Sequence, residues 1–281
     1  MERRWVRARA FLAAALLAAA LPLGSRADAP AVQSLTYALE GAKHEVTYAL
    51  FVPSRYEKSK PAPLVVLLHG LYSSPQEVIR YAGIVEEAEQ RGYIVAAPYG
   101  YNSHGWYGSL GQGKEFTQRF RFGRAQADDD PDDLGRLSEQ DVLQVLERVR
   151  KAYAVDPDRV YLMGHSMGGG GTLYLAMKYG SLWAAIAPLA PAIYSDPAEL
   201  ARIRTLPAIV VQGDSDRLVR VDATRRWVAK MEEFGMPHTY VEIEGGDHVR
   251  SIAQNPAMIR QVFDFFDAHR RGEARAARKA S

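Results

Sequence analysis

The pentapeptide Gly164-His165-Ser166-Met167-Gly168 sets a serine between two glycines, directly after the apolar run at 159–164 (RVYLMG) and directly before a helical-period segment at 167–179. A serine on a tight strand-to-helix turn is presented as a nucleophile, and the crowded chain on either side then requires residues without side chains at the two flanking positions. The glycines at 168–171 raise a rival chemistry, a loop that cradles phosphate. A Walker-type loop counted from Gly164 needs lysine at position 170, where this chain has Gly170. A dinucleotide fingerprint counted from Gly168 puts Leu173 at its last small position. The nucleophile reading is the one that fits.

A serine hydroxyl is a weak nucleophile and needs a base, itself oriented by a carboxylate. The order serine, acid, histidine recurs downstream: Asp214 and Asp216 follow the apolar run at 208–213 (AIVVQG), and Asp247-His248 follows TYVEIEGG. Spacing alone leaves Asp214 and Asp216 open as the acid, since either can serve as a turn residue. Asp247 is a poor orienter for its immediate neighbour. His165, within the turn, and His69, at a strand end, are read as organisers of local backbone. The chain has no cysteine, which excludes thiol catalysis, thiolate metal sites and disulfides.

Positioning these residues requires strands that end together. Short apolar runs at 63–68, 93–98, 159–164, 183–189, 208–213 and 239–245 read as buried, mostly parallel strands. VQSLTYAL and HEVTYALFVP read as a hairpin turning near Glu40-Gly41. Helical periods fall at 75–91, 138–153, 167–179, 222–234 and 255–269. In the second of these Ser138 is the expected cap, with Asp141 as its capping-box partner and Val142, Val145, Leu146 and Val149 on one face. Alternation of this kind predicts an α/β fold, a doubly wound and mostly parallel sheet in one domain over 28–281.

The interval 99–135 breaks the alternation and reads as a long cover insertion. Its Trp106, Tyr107, Phe116, Phe120 and Phe122, together with Tyr72, are the candidate substrate contacts. Its acidic run Asp128, Asp129, Asp130, Asp132 and Asp133 lacks the spacing of a calcium loop and reads as solvated. Residues 1–27, with Arg3, Arg4, Arg7 and Arg9 before an apolar stretch and small residues up to Ala27, read as an export signal, with secreted or periplasmic localisation expected. No later segment is apolar enough to cross a membrane. The net charge of +2 is partly due to basic residues at the two ends and gives little support to nucleic-acid binding.

The stretches LLHGLYSS, DPDRVYLMGHSMGGGGTLYLA, VVQGDSDRLV and GGDH together resemble the α/β-hydrolase superfamily, in particular secreted carboxylesterases, feruloyl-esterase-like and polyhydroxyalkanoate-depolymerase-like esterases, across most of 64–269. The resemblance implies the α/β-hydrolase fold and carries Asp216, in Asp216-Arg217-Leu218-Val219, over as the acid. It also marks His69-Gly70-Leu71 as the oxyanion loop, with the N–H groups of Leu71 and Met167 as donors. The expected activity is hydrolysis of a small or polymer-linked ester through an acyl-enzyme, with no metal or organic cofactor. The alternatives are a serine peptidase of prolyl-oligopeptidase type and a non-catalytic binding module on the same fold.

Overall fold

The computed structural model describes residues 31–115 and 130–271; the proposed export signal, Phe116, Phe120, Phe122, Asp128 and Asp129 lie outside them. Eight strands form one sheet: β1 (Gln33–Ala38), β2 (Glu45–Phe51), β3 (Ala62–Leu68), β4 (Ile94–Pro98), β5 (Val155–His165), β6 (Ala185–Leu189), β7 (Ala208–Gly213) and β8 (His238–Ile243). Their spatial order is β1-β2-β4-β3-β5-β6-β7-β8, and only the pairings of β1 with β2 and of β2 with β4 are antiparallel. The first two strands are the predicted hairpin. The order reverses between β3 and β5, so a crevice opens at their carboxyl ends, where ligands gather in sheets of this type.

The continuous apolar runs are resolved by the pleat into two cores. In β3, Leu64, Val66 and Leu68 pack under α3 (Leu134–Ala152), α4 (Met167–Tyr179) and α5 (Val221–Glu233). Val65 and Leu67 point to the opposite face, under α1 (Pro75–Val78), α2 (Ile84–Arg91), α6 (Arg250–Ala253) and α7 (Pro256–Asp267). The α7 residues Phe263 and Phe266 are fully buried there, against Tyr93 and Tyr161. Both faces are covered by helices, as buried parallel strands require.

Two helix expectations need correction. The period at 75–91 covers two helices, α1 and α2, because Gly83 turns to φ 97° between them and packs against Pro256 at the start of α7. The helix expected from Ser138 begins at Leu134, so Ser138 and Asp141 lie inside it and cap nothing. Their polar atoms face inward instead. The Ser138 hydroxyl accepts the N–H of Tyr107 at 2.9 Å, and Asp141 Oδ2 accepts those of Gly100 and Tyr101 at 2.6 and 3.3 Å. Asp141 Oδ1 accepts the Tyr37 hydroxyl from β1. Glu139, also buried, accepts Gln112 of the cover at 3.2 Å and the Tyr174 hydroxyl of α4 at 2.8 Å.

These bonds hold the start of the cover to the body. Asp130 too is paired rather than solvated, with Asn102 at 3.1 Å and His104 at 2.9 Å. Burial pushes the Asp141 carboxyl up to about 6 against the pull of its hydrogen bonds. Asp141→Ala would strand one buried hydroxyl and two buried N–H groups. The expected loss is about 3 kcal/mol in urea unfolding, with a smaller loss for Asp141→Asn, which keeps an acceptor.

Candidate active site

Ser166 sits between the end of β5 and the first residue of α4 at φ 59°, ψ −116°, a strained region for a residue with a side chain. The surroundings hold it there. Its N–H donates to Leu189 O at 2.9 Å, and its carbonyl accepts the N–H groups of Gly170 and Ala192 at 3.0 and 2.9 Å. A Cβ at Gly164 would collide with the Gly168 carbonyl, and one at Gly168 with that of Leu68. Gly169 and Gly170 bring α4 equally close to the backbone at Leu189 and Ala192, while Gly171 makes room for the Tyr107 ring. The glycine run is a close-packed helix start.

His248 lies on the loop after β8, with Nε2 2.8 Å from Ser166 Oγ and Nδ1 2.6 Å from Asp216 Oδ2. The Nδ1–H donates to the carboxylate, leaving the Nε2 lone pair for the serine hydroxyl. Asp216, beyond β7, is 6% exposed. Its Oδ2 also accepts Gln212 Nε2 at 3.0 Å, and its Oδ1 accepts the N–H groups of Leu218 and Val219, both at 2.8 Å. Burial pushes this carboxyl up, but the bonds from His248, Val219 and Leu218 outweigh it and hold it below the usual carboxylate range. Gln212 is fixed in turn by the Thr224 hydroxyl at 2.8 Å.

Asp214 has no bond to His248; it accepts the Ser215 hydroxyl at 3.0 Å, and of the two aspartates it is Asp216 that also accepts backbone N–H groups of the turn. Asp247 contributes through the backbone. Its Oδ1 accepts the N–H groups of Val249 and Arg250 at 2.9 and 2.6 Å, closing the turn that carries His248.

His165 and His69 both anchor backbone. The Tyr81 hydroxyl donates to His165 Nδ1 at 3.0 Å, and His165 Nε2–H donates to the carbonyl of His248 at 2.8 Å, so the ring fixes the loop bearing the base. Its burial, with the neighbouring His248 adding to the effect, pushes its pKa down to about 4 and keeps it neutral. The buried His69 ring lies between the carbonyls of Gly70 and Tyr99, at 2.7 and 2.9 Å. No hydrogen bond within the described residues takes the N–H of Leu71 or of Met167. Gly70 brings the loop after β3 against Ser166, where an added Cβ would lie 3.5 Å from the serine Cβ.

A cavity of about 720 Å³ opens over Ser166 and His248. Tyr72 and Trp106 line it, as expected of them. Tyr107 does not: it is fully buried, and its hydroxyl accepts the N–H of His69 at 3.0 Å, so it supports the His69-Gly70-Leu71 loop from behind. Tyr81, Tyr194, Arg217, Leu218 and Val249 are also in the wall, as is Glu77 of α1, and were not singled out as substrate contacts from the sequence. Their one sequence signal is their place on segments following α1, β6, β7 and β8. Among the described residues no group of histidines and carboxylates could hold a metal ion.

The family described as putative esterases matches residues 40–208, more than half of the chain. The chain belongs to this esterase family. The matched stretch contains His69-Gly70-Leu71 and Ser166 and ends at the first residue of β7, so Asp216 and His248 enter on geometry alone. A putative esterase, NocK, of Nocardia uniformis subsp. tsuyamanensis is 30% identical over 159 residues, covering 56% of this chain and 40% of the relative. The S-formylglutathione hydrolase of Bos taurus is 28% identical over 153 residues, covering 53% of this chain and 52% of the relative. The chain thus spans about half the length of the curated relatives it matches. Among solved structures, the fluorophosphonate-binding serine hydrolase FphF of Staphylococcus aureus shares the fold with a TM-score of 0.63 at 19% identity, covering 85% of this chain and 99% of that one.

The His165 geometry has a consequence for acid stability. Unfolded, His165 takes up a proton near pH 6.5; folded, it does so only at about 4. Across that window the unfolded chain binds a proton that the folded protein refuses, so this contribution is complete above pH 6.5 and is lost as the pH falls toward 4. Relative to a His165→Gln variant, the native protein is expected to lose roughly 3 kcal/mol between pH 7 and pH 4. Chemical denaturation of both proteins at the two pH values measures it, and a constant difference would contradict it.

Proposed function

We propose that the protein is a serine carboxylic-ester hydrolase that works through an acyl-enzyme. The observation that carries the reading is the continuous relay Ser166–His248–Asp216, at 2.8 and 2.6 Å, on a strained turn whose adjacent N–H groups are free of internal partners. Ser166 Oγ attacks the ester carbonyl carbon while His248 Nε2 takes the hydroxyl proton and Asp216 stabilises the imidazolium. The N–H groups of Leu71 and Met167 receive the oxyanion, a contribution of about 3 kcal/mol for one such donor. His248 then returns the proton to the leaving alcohol, and water, activated by the same imidazole, releases the acid. Membership of the esterase family and the apolar, aromatic wall of Tyr72, Trp106 and Tyr194 support an ester substrate. Export of the protein belongs to the same proposal and is supported by the basic, then apolar, then small-residue order of 1–27.

Ser166→Ala is expected to lower kcat on a p-nitrophenyl ester by about 10⁶ while leaving the fold intact, and near-normal turnover by the folded variant would overturn the reading. Asp216→Asn replaces the anion that holds the imidazole and is expected to cost about 10⁴ in kcat, whereas Asp214→Asn touches only a surface hydroxyl and is expected to cost little. The two kcat values, measured beside thermal melts, decide between the aspartates. For export, intact-mass measurement is expected to find a first residue near Asp28 in material from outside the cytoplasm. Full-length chain confined to the cytoplasm would contradict it.

A further inference from the structure

A second cavity, of about 640 Å³, adjoins the one over Ser166. The two share Arg217, Leu218, His248 and Val249, but Ser166 lines only the first. The second is polar where the first is aromatic: besides the shared residues it has Ser215, Asp247, Arg250 and Gln254. Its two arginines stand apart from the rest. Among the described residues, the other guanidinium groups are engaged with carboxylates, carbonyls or aromatic rings, as Arg55, Arg80, Arg148 and Arg204 illustrate. Among the described arginines only Arg217, Arg226 and Arg250 have neither a hydrogen bond from the guanidinium, nor an ion pair, nor a ring contact, and two of these three line this cavity.

The single carboxylate in the cavity wall, that of Asp247, is taken up by backbone N–H groups through Oδ1. Neutral N–H groups do not cancel its charge, and it acts electrostatically on Arg250, so two guanidinium groups face one carboxylate and the cavity wall is left with a net positive charge. An unpaired arginine on a surface is ordinary; two of them, one on the loop after β7 and one at the start of α6, on the cavity that shares His248 but not Ser166, form a charged recess on one side of the site.

Chemistry assigns that side. His248 protonates the leaving group, so the leaving group must lie over His248, and the acyl carbon over Ser166. His248 lines both cavities, and the one without Ser166 is open to a group that extends past the imidazole away from the acyl carbon. We infer that the recess of Arg217 and Arg250 is a leaving-group subsite for an anion, and that the substrates favoured here are esters whose alcohol or phenol portion carries a carboxylate or phosphate. This rests on the esterase reading above. In the step concerned, the bond from Ser166 Oγ to the acyl carbon forms and the bond from that carbon to the leaving oxygen breaks. The leaving oxygen takes the proton that His248 removed from Ser166, and the freed alcohol departs with its own anion still on the arginines. Arginine suits the task because its planar fork can bind either anion through two N–H groups at once.

The test compares meta-carboxyphenyl acetate and meta-phosphonomethylphenyl acetate with the uncharged meta-carbamoylphenyl acetate, which share one acyl group and one ring. The readout is the ratio of kcat/KM for each anionic ester to that for the neutral one, corrected for the uncatalysed reactivity of each. At low salt the ratio for at least one anion is expected to exceed unity by about fivefold or more, and to shrink in about 0.5 M salt as the charges are screened. Arg217→Ala and Arg250→Ala are each expected to reduce it by about two- to fivefold, the double variant to bring it near one, and Arg217→Glu to take it below one. Circular dichroism confirms that each variant is folded.

A ratio near one for both anions in the native protein, or a ratio that none of the variants moves, overturns the subsite. A preference confined to the carboxylate or to the phosphate supports it and identifies the anion. The two readings fail separately: turnover that survives Ser166→Ala sinks the esterase mechanism, whereas Ser166-dependent turnover without charge discrimination sinks only the subsite.

Discussion

The backbone conformation of Ser166 is the constraint on which the rest of the site depends. At φ 59° and ψ −116° the residue is unfavourable by itself, and it persists because Leu189, Gly170 and Ala192 take up both of its backbone polar groups. That arrangement needs α4 to start almost in contact with β6 and with the loop beyond it. Side chains at Gly169 and Gly170 would each prevent this, and one at Gly168 would collide with the end of β3. Four successive glycines weaken a helix by roughly 1 kcal/mol apiece relative to alanine, a large local sacrifice. Burial of Leu173, Leu175, Ala176 and Met177 farther along α4 offsets it.

From that fixed point the other groups are placed by carboxylates with distinct tasks. Asp216 divides its oxygens: one accepts two turn N–H groups and is thereby immobilised, and the other accepts His248 and Gln212. A carboxylate with that many donors stays ionised although it is buried. Asp247, next to the base, acts only on backbone and shapes the loop that His165 grips from the other side through the His248 carbonyl. The imidazole is thus oriented through its ring by Asp216 and through its main chain by His165.

The parallel strands were legible because each is a short apolar run ending in a turn, and the sheet edge that carries the site followed from their common direction. Ser166 and His248 were legible as candidates from chain order, but Asp214 and Asp216 were not separable by spacing. What separates them is three-dimensional: residue 216 is buried and reaches His248, whereas residue 214 is half-buried and meets the Ser215 hydroxyl. The polar residues at the start of α3 were misread for a related reason. Ser138 and Asp141 carry the types and spacing of a cap, and a linear pattern does not distinguish a polar group that satisfies its own helix from one that satisfies a neighbouring loop. Tyr107 was misread likewise, since an aromatic residue in a cover looks alike whether it faces the cavity or the core.

That misreading leads to the function of the buried polar seam. A cover held by apolar packing alone could slide, because dispersion contacts are nearly indifferent to small shifts. Hydrogen bonds from the Tyr107 N–H to Ser138 and from the Gly100 and Tyr101 N–H groups to Asp141 allow one register only. Tyr107 passes that register on: its hydroxyl meets the backbone of His69, and His69 meets the carbonyls of Tyr99 and Gly70. Leu71 is the next residue, so the N–H proposed to receive the oxyanion is positioned from α3 through the cover. The aromatic wall of the cavity is set by the same chain of contacts, because Trp106 is the immediate neighbour of Tyr107. The shape of the cavity over Ser166 and the placing of the Leu71 N–H are therefore coupled in this protein. The charged recess beyond His248 is built on the loops after β7 and β8 and on the start of α6, and it meets the first cavity at Arg217, Leu218, His248 and Val249.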